Sequence, residues 1–272
     1  MGGTLGIDNK YGFEVHWLQW FVGFCDAEAN FQTFPKKRYH KNGSVYYNIG
    51  YGFHLGLHSR DAALVDQLNT MLGNRGNVYN YPVKQEVHLA VTKLDDLKWL
   101  SSAIFGKYPL LTIHQWNRYC LLDYGVSNSI NRAETLQEYQ NYVDDNNESW
   151  LIPQTIDMKD SHNNDYLNNW ISGFINGEGS FYIKSNGTHI FSIEQAECNV
   201  LSIIKEKLSF SPKVLKLKQR EGRKITWSLT ISSKKDIFTL IEFFESGRVI
   251  PLQGYKYIQY KDWADSFISK ES

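Results

Sequence analysis

A chain of 272 residues, 42% hydrophobic and 21% charged, can bury one large core or two ordinary ones, and none of its apolar runs is long enough to cross a bilayer. Its 29 basic residues are cancelled by 29 acidic ones, which excludes a uniformly basic nucleic-acid binder but not one whose charge is segregated. Cys25, Cys120 and Cys198 are odd in number and far apart, which argues against a disulfide framework or a zinc site and for a reducing compartment.

The charge is segregated. Residues 31–60 hold five Lys or Arg and no acid, residues 205–235 hold ten against two acids, and residues 134–165 hold eight acids against Lys159 alone. The start, MGGTLGIDNKYGF, has neither a basic secretory pattern nor an Arg-rich transit pattern.

The first predicted element is an apolar helix ending in FVGFCDAEANF, residues 21–31. A strand follows, then Asn42-Gly43, which predicts a type I′ hairpin turn with positive φ at both central residues. The returning strand is YYNIGYGFHLGLH, and the next helix spaces Ala63, Leu64, Leu68 and Leu72 on one face. A second hairpin from Asn77 to Val91 carries Val87, Leu89 and Val91 on its apolar face. A helix from Leu94 to Phe105 and the phrase YPLLTIHQWNRY complete the half.

The same order then repeats. ISGFINGEGSF, residues 171–181, sets Gly173, Gly177 and Glu178 in register with Gly23, Ala27 and Glu28. Asn186-Gly187, the strand THIFSIEQA, the helix NVLSIIKEKL, a hairpin turning near Glu221-Gly222, a helix from Lys235 to Glu245 and the phrase IPLQGYKYIQY follow. Each half reads α-β-β-α-β-β-α, an α+β arrangement. Residues 1–128 and 163–272 are the halves, and 129–162 is an acidic tether with some helix around Glu134 to Tyr142.

Gly23 and Ala27, and likewise Gly173 and Gly177, lie four apart, so each helix has a small-residue stripe that lets a second backbone approach closely. If the two helices pack as symmetry mates, Glu28 and Glu178 meet at their negative C-terminal ends, where cations are needed to offset the repulsion. Paired oxygen ligands suit Mg²⁺, which takes one or two carboxylates and completes its shell with water and phosphate.

FVGFCDAEA and ISGFINGEG resemble the two copies of the motif that names the LAGLIDADG homing endonucleases, in single-chain form, and the resemblance covers essentially the whole chain. It implies two pseudo-symmetric αββαββα halves, motif helices packed at the interface and antiparallel sheets forming a DNA-binding saddle. It also implies a monomer that hydrolyses one phosphodiester in each strand of a long, nearly non-palindromic duplex. Glu28 and Glu178 would bind Mg²⁺, with the Ala27 and Gly177 carbonyls as secondary ligands; Mn²⁺ is expected to substitute, and Ca²⁺ to support binding without cleavage. Gln195 would orient solvent near the metals, with Leu57 as its first-half counterpart. Lys256 would sit near the scissile phosphate, with His114 as its counterpart, so the halves are expected to treat the two strands differently. Asn176 and Ala29 depart from the aspartate and glycine matched by Asp26 and Gly179. The resemblance further implies an organellar, mitochondrial setting.

Strand alternation offers Asn30, Gln32, Lys36, Arg38 and His40, with Asn48 and His54 on the returning strand, as one DNA-facing series. The second half offers Ser180, Tyr182, Lys184, Ser192, Lys216, Lys218, Arg220, Thr226 and Ser228. Arg, Gln and Asn can read base edges, while lysines hold phosphates. The competing readings are a maturase that binds its host intron RNA and a DNA-binding protein that does not cut.

Overall fold

The computed structural model describes residues 7–8, 13–147, 161–217 and 225–271. A two-stranded ladder, two larger antiparallel sheets and nine α-helices are present among them, and none of the described helices is long and apolar enough to cross a membrane. The described residues form two compact units, one made of those up to Glu28 together with those from 161 on, the other of Ala29 to Asn147. This differs from a division at 1–128, 129–162 and 163–272, because the first motif helix packs along the second.

The first unit begins with a two-residue ladder of β1 (Ile7–Asp8) and β2 (Phe13–Glu14), then α1 (Val15–Glu28). Trp17, Leu18, Trp20, Phe21, Val22, Phe24 and Cys25 are all buried, so α1 is apolar nearly all round, as a helix enclosed in a core must be. Its partner is α6 (Ser161–Glu178), which buries Leu167, Trp170, Ile171, Phe174 and Ile175. Each buried apolar side chain of this size contributes about 1.5–3 kcal/mol. Trp20 stacks on Phe24 at 5.1 Å and Trp170 on Phe174 at 4.8 Å, the same four-residue step in each helix.

Glycine sets how close these helices come. A Cβ on Gly23 would overlap the backbone of Trp170, and a Cβ on Gly173 would overlap the backbone of Trp20. Gln19 and Asn169 form a buried hydrogen-bonded pair across the same contact, with Asn169 Nδ2 donating at 3.0 Å.

The sheet of this unit runs β10-β11-β9-β8, with β8 (Gly179–Ile183), β9 (His189–Gln195), β10 (Leu215–Lys216) and β11 (Trp227–Ile231). Between β9 and β10 lies α7 (Cys198–Lys207), and after β11 come α8 (Lys234–Glu245) and α9 (Gly254–Glu271). Phe181, paired with Phe191, packs on Tyr260 and Trp263 of α9.

The second unit carries β3 (Ala29–Tyr39), β4 (Val45–His58), α2 (Ala62–Met71), β5 (Asn77–Tyr81), β6 (Glu86–Val91), α3 (Leu94–Leu100) and α4 (Ile113–Ser127). A π turn, Ser101–Phe105, extends α3. The sheet order is β3-β4-β6-β5, and Phe31, Phe53 and Val91 meet across it over Phe105 and Tyr119. Both halves therefore follow the expected αββαββα order with one further helix, α4 or α9, at the end.

Two expectations need correction. Gly43 and Gly187 have φ of +85° and +81°, but neither Asn42 nor Asn186 has positive φ, so the turns are not type I′. The bonds from Gly43 N to the His40 carbonyl and from His40 N to the Ser44 carbonyl define a three-residue loop with the glycine as its left-handed residue. Asn42 and Asn186 accept from the backbone N–H two residues on instead.

The described part of the tether is folded structure. β7 (Arg132–Ala133) pairs with β4, and α5 (Leu136–Asn147) docks on the same unit. Tyr139 donates to the Thr33 carbonyl and Tyr142 to the Leu121 carbonyl, both at 2.9 Å, and Tyr51 donates to the Ile130 carbonyl. Burial pushes the Tyr142 phenol up to about 12 and the other two upward as well.

Candidate active site and sheet faces

Each motif helix runs into its strand with no loop: α1 ends at Glu28 and β3 begins at Ala29, while α6 ends at Glu178 and β8 begins at Gly179. Glycine at 177 makes room for the first carboxylate. A Cβ there would stand 2.5 Å from the Ala27 Cβ and 3.1 Å from Glu28 Oε1. Glu178 is pushed up to about 7, first by burial and then by the nearby Glu28 charge; Gln195 and Lys256 pull the other way without cancelling it. Glu178 thus shares its surroundings with a second carboxylate, and the positive charge near it does not offset its burial.

Gln195, the last residue of β9, donates from Nε2 to Glu178 Oε1 at 3.3 Å, and its own Oε1 accepts from the Ala196 N–H. Lys256 Nζ donates to the carbonyl of Gly179, the residue after Glu178. Among the described residues no group of three His, Cys, Asp or Glu forms a self-sufficient metal site. A pair of carboxylates, Glu28 and Glu178, is a donor set that fits Mg²⁺ sharing its shell with water and substrate phosphate.

The strand ladder confirms that Leu57 takes the place of Gln195, because Ala29 faces Leu55 as Gly179 faces Ile193. The pairing of His114 with Lys256 is out by one position. One residue more separates Pro109 from Tyr119 than Pro251 from Tyr260, and Tyr119 and Tyr260 pack on the equivalent rings Phe31 and Phe181. The residue four before each tyrosine is Gln115 or Lys256. Gln115 Nε2 donates to the carbonyl of Ala29 at 2.5 Å, as Lys256 does to Gly179. His114 is exposed on the preceding position of α4.

Asp26 and Asn176 have different partners. Asp26 Oδ2 accepts from Trp170 Nε1 at 3.0 Å, whereas Asn176 Oδ1 accepts from the Gln253 N–H ahead of α9. Trp20 Nε1 consequently has no hydrogen-bond partner among the described residues.

On the first sheet the odd-numbered residues of β3 and β4 carry the core, which leaves Asn30, Gln32, Lys36, Arg38, Asn48 and His54 on the opposite face. The register sets Asn30 against His54 and Lys36 against Asn48. His40 follows β3 at the hairpin turn, 3.1 Å from Arg132 Nη2. Burial, then His88, holds the His54 imidazole below its ordinary range.

Several groups on this face were not expected. Arg118 of α4 donates to Asn30 Oδ1 at 2.7 Å, and the Arg132 guanidinium lies 4.3 Å from the centre of the Tyr46 ring. Tyr79 lies opposite His88 across β5 and β6. The glycines at 50, 52 and 56 of β4 were the readable signal: the Phe34, His54 and His88 side chains lie over them.

On the second sheet Ser180, Ser192 and Thr230 lie in one row, Ser228 bonds Thr230 at 3.0 Å, and Tyr182 is exposed. Thr226 precedes β11 and its carbonyl accepts from Leu217 N–H; Lys184 opens the hairpin turn. Lys216 does not share the Ser228 face. It pairs with Trp227, and Leu215 takes the place opposite Ser228, so the lysine is out of phase by one residue. Lys218 and Arg220 lie outside the described residues, as does the turn at Glu221-Gly222.

A family model described as LAGLIDADG endonuclease matches residues 21–124 and 171–267. The probable intron-encoded endonuclease Cox1-I1b of Schizosaccharomyces pombe is 27% identical over 95% of this chain and 65% of its own length. The uncharacterized mitochondrial protein RF1 of Saccharomyces cerevisiae is 28% identical over 65% of this chain and 33% of its own. This chain thus spans less than two thirds of either relative. The solved structure of I-SmaMI bound to an uncleaved DNA target with calcium ions shares the fold, with a TM-score of 0.69, 20% identity and coverage of 93% of this chain and 92% of that one.

Proposed function

This chain belongs to the LAGLIDADG endonuclease family, and from that premise we propose that it is a site-specific DNA endonuclease that cuts both strands of a long duplex in a divalent-metal-dependent reaction. The observation that carries the reading is the pairing of Glu28 with Glu178 against Gly177, with the Glu178 proton affinity raised to about 7. A carboxyl held above its ordinary range beside a second carboxylate is a place for a cation, and the two motif helices bring the pair together.

Bound Mg²⁺ supplies the positive charge that activates water and stabilises the departing oxygen in phosphodiester hydrolysis. The chain's own groups do the rest. Glu28 and Glu178 hold the ions, with the Ala27 and Gly177 carbonyls beside them. Gln195 fixes the Glu178 carboxylate through its amide N–H and can orient a water at the same time. Lys256 brings an ammonium to the peptide after Glu178, where negative charge builds up as the phosphate is attacked. The uncovered faces carrying Gln32, Arg38, Asn48, Ser180 and Ser192 read base edges in the major groove, which accommodates a β-ribbon. Lys36 and Lys184 hold phosphates and set register. A mitochondrial setting follows the yeast relative's name.

The test is selection from a pool of randomised duplexes with Mg²⁺ or Ca²⁺, sequencing bound and cut molecules for the native chain and for Glu28→Gln and Glu178→Gln. One long site bound with either ion, cut only with Mg²⁺ and only by the native chain, is the expected result. A site bound but never cut would leave the non-cleaving reading, and normal cutting by either variant would remove the metal-site assignment.

A further inference from the structure

The segment after α4 reads as a tether, yet its first strand lies in the first sheet. β7 pairs with the outer part of β4 and sets Arg132 opposite Asn48, which itself stands opposite Lys36. The three side chains form one row across three strands on the face turned away from the core, while Ala133 points inward and is 2% exposed. The segment is fixed there. Ile49 N–H donates to the Asn131 carbonyl at 2.9 Å, and the hydroxyls of Tyr51 and Tyr139 reach the Ile130 and Thr33 carbonyls.

Arg132 is also held in one orientation. Its guanidinium lies over the Tyr46 ring, Glu134 Oε1 is 2.8 Å from Nε, Glu134 Oε2 accepts from Nη2 at 3.2 Å, and His40 Nε2 is 3.1 Å from Nη2. The His40 and Tyr46 rings pack on each other at 4.6 Å. An exposed ion pair adds little to stability, so the effect of Glu134 is to aim the guanidinium. Nη1, with two N–H donors, is left without a partner among the described residues. Arg38, one row farther out on β3, has only a 3.4 Å bond to the adjacent Lys37 carbonyl and keeps its side-chain freedom.

We propose that Arg132 reads a guanine at the outer flank of the target, so that the segment after α4 is part of the recognition surface. A guanidinium already facing a carboxylate attracts a phosphate weakly, and Glu134 repels that phosphate. It keeps donors of fixed direction, which a neutral base edge can use, and guanine is the base that presents two acceptors, O6 and N7, in the major groove. The row of Lys36, Asn48 and Arg132 lies about 24 Å along β3 from Ala29 at about 3.4 Å per residue, a length of about seven base pairs of B-DNA. The contact therefore belongs to the outer part of the half-site.

This inference rests on the DNA-cutting reading, and the experiment separates the two. Selection from randomised duplexes in Ca²⁺ is repeated with Arg132→Ala, Arg132→Lys and Glu134→Gln, and affinity for the native site is measured from about 50 to 200 mM salt. Arg132→Ala and Arg132→Lys should each lose the guanine preference at one outer position, keep the rest of the site and bind the native duplex about tenfold more weakly, with the salt dependence unchanged. Glu134→Gln frees the guanidinium for phosphates, so it should bind unrelated duplexes more tightly and discriminate less at that same position. If Arg132→Ala loosens β7, as a lowered melting temperature without DNA would show, Arg132→Lys decides by itself. Uniform weakening on every sequence by Arg132→Ala with a shallower salt dependence, full retention of the preference by Arg132→Lys, or unchanged binding by both overturns the inference and leaves the nuclease reading intact. A Glu134→Gln variant indistinguishable from the native chain removes the aiming role of Glu134. A native chain that enriches no site overturns the inference and the nuclease reading together.

Discussion

Replacing Glu178 by glutamine should make the metal-free protein more stable while abolishing its cleavage. A carboxyl whose proton affinity rises from the ordinary 4.5 to about 7 penalises the folded state wherever it must ionise, at about 1.4 kcal/mol for each tenfold change. Below 4.5 both folded and unfolded chains hold the proton and there is no penalty. Between 4.5 and about 7 the penalty grows, and above 7 it levels off at about 3 kcal/mol, or nearer 2 after allowing for the part of the side chain that water reaches. Glutamine keeps the shape and cannot ionise. In chelator-treated protein at pH 8, Glu178→Gln should therefore melt about 4–12 °C higher than the native chain, at about 2–4 °C per kcal/mol for a chain of this size. The gap should close at pH 4.5. Melting curves at both pH values decide the matter: a variant no more stable at pH 8, or one with the same advantage at both, would show that Glu178 is not held against its charge.

The same carboxyl ties metal binding to pH. Protonation competes with the cation as pH falls through about 7, so titration calorimetry should show Mg²⁺ affinity dropping below neutrality and levelling off above it. Gly173→Ala sets a Cβ into the Trp20 backbone and should cost more than about 3 kcal/mol by denaturant unfolding. Gly50→Ala meets movable side chains, the Phe34 ring and the Lys36 stem, and should cost about 1 kcal/mol; comparable costs would mean that the helix contact yields easily. Trp170→Phe removes the donor on Asp26, whereas Trp20→Phe removes an indole N–H that has no such partner among the described residues. The first should be more damaging by about 1–3 kcal/mol in the same measurement, and equal losses would show that the Asp26 bond contributes nothing.

The doubled helix-to-strand motif was readable because it is local and repeated: small residues four apart set the helix contact, and the glutamates end each copy. Strand order and most of the first-sheet face followed from period-2 alternation. What escaped depended on distance. The counterpart of Lys256 was mistaken because an added residue after Pro109 is visible only once Tyr119 and Tyr260 are seen on equivalent rings. Lys216 changed faces because alternation along a strand does not reveal its register with the next. The acidic segment looked like a tether because its charges are exposed, and what anchors it is three tyrosine hydroxyls on distant carbonyls. The turn type was missed because glycine alone supplied the positive φ.

The absence of any loop between Glu28 and Ala29, or between Glu178 and Gly179, limits how this molecule can acquire new targets. Inserting or deleting one residue at either joint would move the strand one place relative to the carboxylate and invert every side chain of the strand beyond it. Reactive group and reading surface would fail together. New specificity must therefore arise by exchanging side chains at fixed positions, and insertions or deletions are tolerated only farther along, at hairpin tips such as Asn42-Gly43 and Asn186-Gly187.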